Sequence, residues 1–213
     1  MIYLSGKTEY DYKSNFIHWD VTPPELDQEI IEVPLRDGFI NATRFLSDRP
    51  VYKSRTITIG LEQRGLREEW PAYYSRMLQD LHGRDVVIAR SEEPEYYWLG
   101  VASVGPQEDH GASAGVTITV TAQPFKRHRE KRPVVSQMAV TGTATINVNV
   151  DDMRGYPTFN VSGTDMRISV NGETWALPDG ESTAYGLELL QGSTEITVTG
   201  NGTISMEYEG GSL

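Results

Sequence analysis

The chain has 213 residues, of which 38% are apolar and 23% are charged, as in folded, soluble proteins with one large or two small domains. It contains no cysteine, which excludes disulfides, thiol nucleophiles and Cys-ligated metal sites. The net charge of −11 is uneven, because residues 1–132 carry 17 Lys+Arg and 20 Asp+Glu, whereas residues 133–213 carry 2 and 10. The acidic second part argues against general affinity for nucleic acid or anionic membranes, and the asymmetry suggests two units.

Short strands are predicted before residue 64. Residues 3–13 contain one short edge strand, and Phe16–Val21 and Glu29–Val33 are predicted to be strands. The segment 34–38 has turn chemistry, since its Asp-Gly pair favours positive φ. Residues 55–63 alternate apolar and polar side chains, which predicts a half-buried strand.

The strongest helical signal lies between Glu68 and His82. Its large apolar residues follow the spacing of a single helical face: Trp70, Tyr73, Tyr74, Met77, Leu78 and Leu81. Pro71 suits the first turn and Gly83 suits the position after the helix. An aromatic stripe of this kind predicts a helix packed on a sheet.

The segments after the helix predict the rest of this sheet. Residues 85–89, 96–104 and 116–122 are predicted strands, and the glycine-rich polar segment Gly105–Gly115 is predicted to be a long hairpin loop. Residues 1–132 are therefore expected to form one α+β domain with an antiparallel sheet and one helix. The alternating strands 56–62 and 116–122 are expected to offer edges to neighbouring subunits.

Residues 133–213 contain almost only short strand signals. Residues 143–150 alternate, 168–175 predict a hairpin around Asn171-Gly172, and 196–208 predict a second hairpin around Gly200-Asn201-Gly202. Seven or eight such strands predict a β-sandwich. The proline-bounded basic run from Lys126 to Arg132 separates the two domains, and we expect it to pair with acidic neighbours in this subunit or another.

No catalytic constellation emerges from the sequence. The four histidines lack metal-ligand spacing: His18, His82, His110 and His128. Glu92, Glu93 and Glu95 beside three aromatic residues suggest a glycosidase-like pair, but a solvated turn before a buried strand explains them better. The pair Asp151-Asp152 lacks the other acids of a calcium loop. We therefore predict no enzyme activity, no cofactor and no metal.

Neither a signal peptide nor a membrane span is expected. The first residues lack the apolar stretch of a signal peptide. No apolar run approaches the roughly 20 residues that a transmembrane helix needs.

Five segments, in order, resemble one protein family. They are Val33-Pro34-Leu35-Arg36-Asp37-Gly38, Tyr52-Lys53-Ser54-Arg55-Thr56-Ile57-Thr58-Ile59, Trp70 to Gly83, Pro94-Glu95-Tyr96-Tyr97-Trp98-Leu99-Gly100 and Pro124-Phe125-Lys126. This order, with the closing segment 200–213, resembles the distal tail proteins of long, non-contractile-tailed bacteriophages. Two positions depart from the family pattern, since Leu35 stands where the family favours Gly and Phe125 where it has Tyr.

The resemblance implies a structural hub at the tail tip of the virion, assembled in the host cytoplasm. It implies a belt domain over residues 1–132 that forms a homo-hexameric ring, and a galectin-like β-sandwich over residues 133–213. The implied partners are the tail tube protein and the tail-tip protein, with the genome passing through the ring without specific binding.

Two alternative functions remain open from the sequence. The sandwich could bind a host cell-wall saccharide, for which Trp175 is the candidate contact because it follows a hairpin turn. The protein could instead be a tail-tube or tube-terminator protein, against which the separate second domain argues.

Overall fold

The computed structural model describes residues 1–32, 34–35, 37–45, 49–184 and 186–213. The chain divides into two compact units, Met1–Pro124 (unit 1) and Phe125–Leu213 (unit 2). The division falls before the basic run rather than after it, because residues 126–132 pair with the last strand of unit 2. Unit 1 is α+β and unit 2 is an all-β sandwich, so the predicted fold class is confirmed.

Unit 1 is built on one antiparallel sheet. Its strands, with a separate two-stranded ribbon, are β1 (Ile2–Leu4), β2 (Lys7–Thr8), β3 (Ser14–Val21), β4 (Ile30–Glu32), β5 (Phe39–Asn41), β6 (Arg55–Gln63), β7 (Asp85–Arg90), β8 (Glu93–Asp109) and β9 (Ala114–Ala122). The sheet order is β2-β1-β7-β8-β9-β6-β3, and β4 pairs with β5 as the ribbon. Strand β6 covers the predicted range, and the edge strand expected within residues 3–13 is β2, which ends the sheet beside β1.

The sheet curls so that distant strands share a core. The rings of Trp19 on β3 and Trp98 on β8 lie 5.7 Å apart, although β9 and β6 separate these strands in the sheet. Alternate side chains of β6 and β9, such as Ile57, Ile59 and Ile118, are fully buried in this core. Their neighbours on the outer side are mainly threonines, which explains the alternation seen in the sequence.

The predicted helix is confirmed as α1 (Trp70–Leu81), preceded by a short 3-10 turn at Arg67–Glu69. Met77 and Leu81 are buried in the core of unit 1, whereas Leu78 is mostly but not fully buried. Gly83 adopts a φ of +71°, as expected for the residue after a helix, but its N–H donates to the carbonyl of Ala102 on β8. The helix end is therefore fixed to the sheet.

A polar contact on the helix flank joins α1 to the N-terminal strands. The Lys7 ammonium on β2 donates a hydrogen bond to the Asp80 carboxylate, and the Tyr12 hydroxyl also reaches it at 3.4 Å. The hydrogen bond from Lys7 lowers the pKa of Asp80 below its usual 3.8. Burial raises the pKa of the Tyr12 phenol, so this hydroxyl stays neutral and available to donate.

The predicted loop Gly105–Gly115 is wrong. Strand β8 continues to Asp109 and β9 begins at Ala114, with a register shift between Val104 and Gln107. Gly105 sits where two backbones approach closely, since a Cβ there would lie 2.9 Å from the carbonyl oxygen of Thr117. This glycine permits a bulged hairpin and does not mark a loop.

Unit 2 is a sandwich in which single strands cross between layers. Its strands are β10 (Lys126–Val170), β11 (Glu173–Ala176), β12 (Gly180–Ser182) and β13 (Leu189–Ser212). The registers define one layer from 126–141, 201–212, 154–164 and 180–182, and a second from 143–150, 192–199, 167–170 and 173–176. Both layers contribute to one buried core, for example Phe159 and Met206 from the first and Ile168 and Val198 from the second.

One predicted hairpin of unit 2 is confirmed and the other is wrong. Asn171 and Gly172 have φ of +51° and +88°, and they join β10 to β11 as the Asn-Gly signal predicts. At Gly200–Gly202 the chain does not reverse, because β13 continues through both layers. A Cβ on Gly200 would lie 2.9 Å from the Asp165 carbonyl oxygen, so glycine is needed at this corner.

Candidate assembly surface

The residues proposed for catalysis or metal binding are not assembled into a site. Among the described residues, no group of three or more His, Asp or Glu side chains could hold a metal ion. His18 and His110 are exposed, and the Nδ1 atom of His82 accepts a hydrogen bond from the backbone N–H of Val104. No helix in this part of the chain is both long and apolar enough to cross a bilayer.

The acidic residues before the aromatic cluster also lack the geometry of a glycosidase. Glu92 pairs with Arg90 and Glu95 is exposed. Trp98 points into the core, where it packs against Trp19. The ring of Trp98 is therefore covered by protein and not available to stack on a sugar.

Three cations of the basic run, Arg127, Lys131 and Arg132, pair with acids of the same unit. Lys131 Nζ lies 2.7 Å from a Glu207 carboxylate oxygen and 3.6 Å from Glu181. Arg132 pairs with both Asp151 and Asp152, at 3.7 and 3.1 Å. This answers the question left open by the sequence, because acidic neighbours lie in this subunit, and it also shows that Asp151-Asp152 holds cations of the protein itself.

Two arginines stack on aromatic rings where the chain enters unit 2. The guanidinium of Arg127 lies 3.8 Å from the ring centroid of Tyr156, and that of Arg154 lies 5.0 Å from Phe125. Burial, followed by the nearby Glu188 carboxylate, raises the pKa of Tyr156 to about 12. Phe125, which departs from the Tyr of the family pattern, is buried and contributes an apolar ring to this stack.

The structure places Trp175 on β11 with its side chain partly against the sandwich core. It lies opposite the fully buried Ile168 and packs against the core as a half-buried residue. Part of its surface faces solvent. The saccharide contact at Trp175 stays a prediction.

The strands expected to offer free edges are interior. Strand β6 is flanked by β3 and β9, and β9 by β8 and β6, so neither can accept a further strand. The edges of this sheet are β2, which has two residues, and β3, which carries a bulge between Phe16 and His18. Short and bulged edges disfavour strand addition, so the edges of this sheet are poor candidates for contacts with another chain.

A better candidate is the excursion between β3 and β6, which we call the arm (residues 26–52). Its base is closed by a bridge between Leu26 and Tyr52, and its ribbon is β4 paired with β5. Large apolar side chains on the arm are exposed, including Ile31 at 45% and Phe39 at 62%. A two-stranded ribbon is marginally stable alone in water, so this exposed ribbon is a candidate contact surface.

The tip of the arm contains the turn that resembles the family motif. Val33 and Arg36 of this motif lie outside the described residues. Leu35 has a φ of +65° and is fully exposed, and Gly38 has a φ of +81°. Leu35 thus adopts the left-handed conformation that favours glycine, at a cost in strain.

A second exposed apolar surface lies on the outer side of the sheet of unit 1, which we call the groove. It has a volume of about 500 Å³ and is lined by Val87, Leu99, Val101, Thr121 and Pro124, among others. Val87 lies opposite Leu99 in the register, and Val87 and Val101 are 42% and 46% exposed. An apolar groove in a sheet face that is otherwise rich in threonine is a candidate docking site.

A buried charge lies on the inner face of β6, opposite the side that the groove occupies. Arg55 follows Ser54, which lines the groove, and is only 7% exposed. In the described part of the chain its Nε has no hydrogen-bond partner, and no carboxylate pairs with its guanidinium. Burial lowers the pKa of Arg55 below its usual value, which reflects the cost of a buried charge without a counterion.

Comparison with known proteins gives one informative result. No family model matches the chain, and no curated protein matches it. Among solved structures, it is similar to the crystal structure of the SPP1 Dit (gp 19.1) protein, described as a paradigm of hub adsorption apparatus in phages that infect Gram-positive bacteria. The TM-score is 0.64 at 14% sequence identity, over 100% of this chain and 98% of that chain. The chain therefore has the fold of this phage distal tail protein, as the resemblance of its motifs implied.

Proposed function

We propose that this protein is a structural hub of a long non-contractile phage tail tip. In this proposal six copies form a ring that joins the tail tube to the tail-tip proteins, with unit 1 as the belt and unit 2 as an outward galectin-like sandwich. The observation that carries the proposal is the similarity to SPP1 Dit, which covers both units from end to end. A similarity confined to one unit would support only a shared module.

The physical properties of the chain are consistent with a conduit for DNA. Its net charge is −11, and Arg127, Lys131 and Arg132 of the basic run are paired with carboxylates in unit 2. A ring of such subunits would not hold the genome by releasing counterions from phosphates. The same charge would keep the subunits soluble before assembly.

The test is the assembly state and shape of the purified full-length protein. Native mass spectrometry is expected to give a hexamer or a multiple of it, and negative-stain electron microscopy is expected to show rings with a central hole. A species that stays monomeric at high concentration and shows no rings contradicts the proposal.

Labelling in the virion separates the alternatives. Antibodies to unit 2 are expected at the tail end distal to the head, whereas label along the shaft or at the head-proximal end would indicate a tail-tube or terminator protein. Saccharide binding by the sandwich would appear on a cell-wall glycan array and would be lost in Trp175→Ala. Equal signals for both proteins, or none, would discard that role for Trp175.

A further inference from the structure

We propose that the strand segment 143–150 of unit 2, which we call the open edge, pairs antiparallel with the open edge of a second copy. This segment of β10 begins the second layer of the sandwich, where one of its sides pairs with residues 192–199. Within unit 2, no described strand pairs with its other side. Backbone groups of an antiparallel strand point alternately to its two sides, so every second residue of the open edge directs its N–H and C=O toward a possible partner.

The other described edges of unit 2 carry features that prevent strand addition. The edge of the first layer, 126–141, contains Pro133 and three register shifts. The remaining edges are β11 and β12, which have only four and three residues. The open edge, in contrast, pairs with 192–199 without a shift, and it contains no proline, glycine or charged residue. It therefore lacks each of the devices by which natural edges avoid a further strand.

The lack of charge identifies a second copy as the partner. Residues 133–213 carry 2 Lys+Arg and 10 Asp+Glu, a net charge of −8, so like charges oppose most approaches between two copies of this unit. Residues 133–150 contain no charged residue at all. Glu195 lies opposite Asn147 on the next strand, and it would be three strand spacings, about 14 Å, from Glu195 of the other copy. This separation exceeds the screening length of about 8 Å, so repulsion does not prevent the contact.

The side-chain alternation of the open edge also suits pairing with itself. Its large apolar side chains are buried in the core and its polar side chains are exposed: Ile146, Val148 and Val150 against Thr143, Thr145, Asn147 and Asn149. An antiparallel pairing centred on Asn147 places Ile146 opposite Val148 of the other copy. Residues that lie opposite each other point to the same side of the sheet, so the buried faces of the two copies become continuous and the polar faces stay in solvent.

This contact goes beyond the proposed ring, because its symmetry is different. Both copies use the same residues, so the contact has a two-fold axis, whereas a ring is closed by head-to-tail contacts between different surfaces. Adjacent copies in a ring of six are not related by a two-fold axis. Pairing of open edges therefore joins copies of different rings, and it doubles the mass of whatever assembly unit 1 forms.

Charged substitutions at Asn147 test the contact through this mass. In Asn147→Lys, two like charges face each other at an edge, so light scattering of the full-length protein is expected to give half the wild-type mass. Thr174→Lys is the matched control, because Thr174 is exposed on β11, the opposite edge of the same layer, and it should keep the wild-type mass.

Mixing two variants separates loss of the contact from a folding defect. Asn147→Asp alone should also halve the mass, since two carboxylates then face each other. An equal mixture of Asn147→Lys and Asn147→Asp is expected to regain the wild-type mass, because opposite charges now meet across the two-fold axis. A mixture that stays at half the mass would contradict the pairing.

Cysteine cross-linking tests the register, since the natural chain contains no cysteine. In Asn147→Cys the Cα atoms of the two substituted residues would lie about 4.5–5.5 Å apart, within the range of a disulfide. Mild oxidation of the full-length variant is expected to give a reducible dimer, whereas Thr174→Cys should give at most the background level.

Two results would overturn the pairing of open edges: a mass that Asn147→Lys leaves unchanged, or equal cross-linking of Asn147→Cys and Thr174→Cys. The same results would be obtained if the open edge received a strand of a different protein, and they would leave the ring proposal intact. A fall from dimer to monomer in Asn147→Lys would support the pairing even if the wild-type protein formed no ring. The edge contact and the ring are therefore tested separately.

Discussion

Replacement of Met77 by alanine tests whether α1 is held by the sheet. The side chain of Met77 on α1 is fully buried in the core of unit 1. Met77→Ala is therefore expected to lower the free energy of unfolding of unit 1 by about 2–5 kcal/mol. Leu78 is mostly but not fully buried against the same core, so Leu78→Ala should cost less, about 1–2 kcal/mol, since most of the roughly 1.5–3 kcal/mol transfer free energy is available. Gln79→Ala, at an exposed position, should change stability by less than about 0.5 kcal/mol.

Tryptophan fluorescence in urea can isolate unit 1. Trp19, Trp70 and Trp98 lie in unit 1, and only Trp175 lies in unit 2, so a Trp175→Phe background reports on unit 1 alone. With an m-value of roughly 2 kcal/mol/M, a loss of about 3 kcal/mol lowers the urea midpoint by about 1.5 M. The packing described for α1 would be refuted if Met77→Ala and Gln79→Ala had the same midpoint.

Two further predictions concern unit 2. Gly200→Ala is expected to lower the stability of unit 2 by more than Gly192→Ala. Both glycines have a positive φ, but only Gly200 also lacks room for a Cβ. Equal urea midpoints for the two variants would contradict the close approach at Gly200. Tyr156 is neutral in the folded state with a pKa of about 12, against about 10 when unfolded, so its contribution is complete below pH 10 and is lost as the pH rises from 10 to 12. Tyr156→Phe should remove this part of the alkaline loss of stability, which thermal melts between pH 9 and 12 would measure.

The elements that could be predicted are those that depend on the pattern of residues close together in the sequence. The apolar spacing in α1, the alternation in β6 and the Asn171-Gly172 turn each follow from conformational preferences of a few neighbouring residues. The glycines at 105 and 200 misled the prediction, because they suggested a loop and a hairpin. In the structure a side chain at either position would collide with a backbone carbonyl, that of Thr117 or that of Asp165. Both carbonyls come from residues far away in the sequence, so a single sequence does not reveal these contacts.

The candidate assembly surface was predictable only in part. The motif order indicated a hub, and the turn at the arm tip was recognised from Asp37-Gly38. The sequence placed the free edges on β6 and β9, since alternation shows that one face is buried but not how many neighbours a strand has. The exposed ribbon and the groove depend on which apolar residues stay uncovered after folding, and that requires the tertiary structure.

The cross-strand pairing of Lys126 with Ser212 has a consequence for how this protein can vary. The polypeptide enters unit 2 and completes it at adjacent points, so the sandwich begins and ends at one place in its own fold. Such a unit can be exchanged for another of different size or specificity without rethreading unit 1. A reporter fused after Leu213 would by the same geometry emerge close to Lys126.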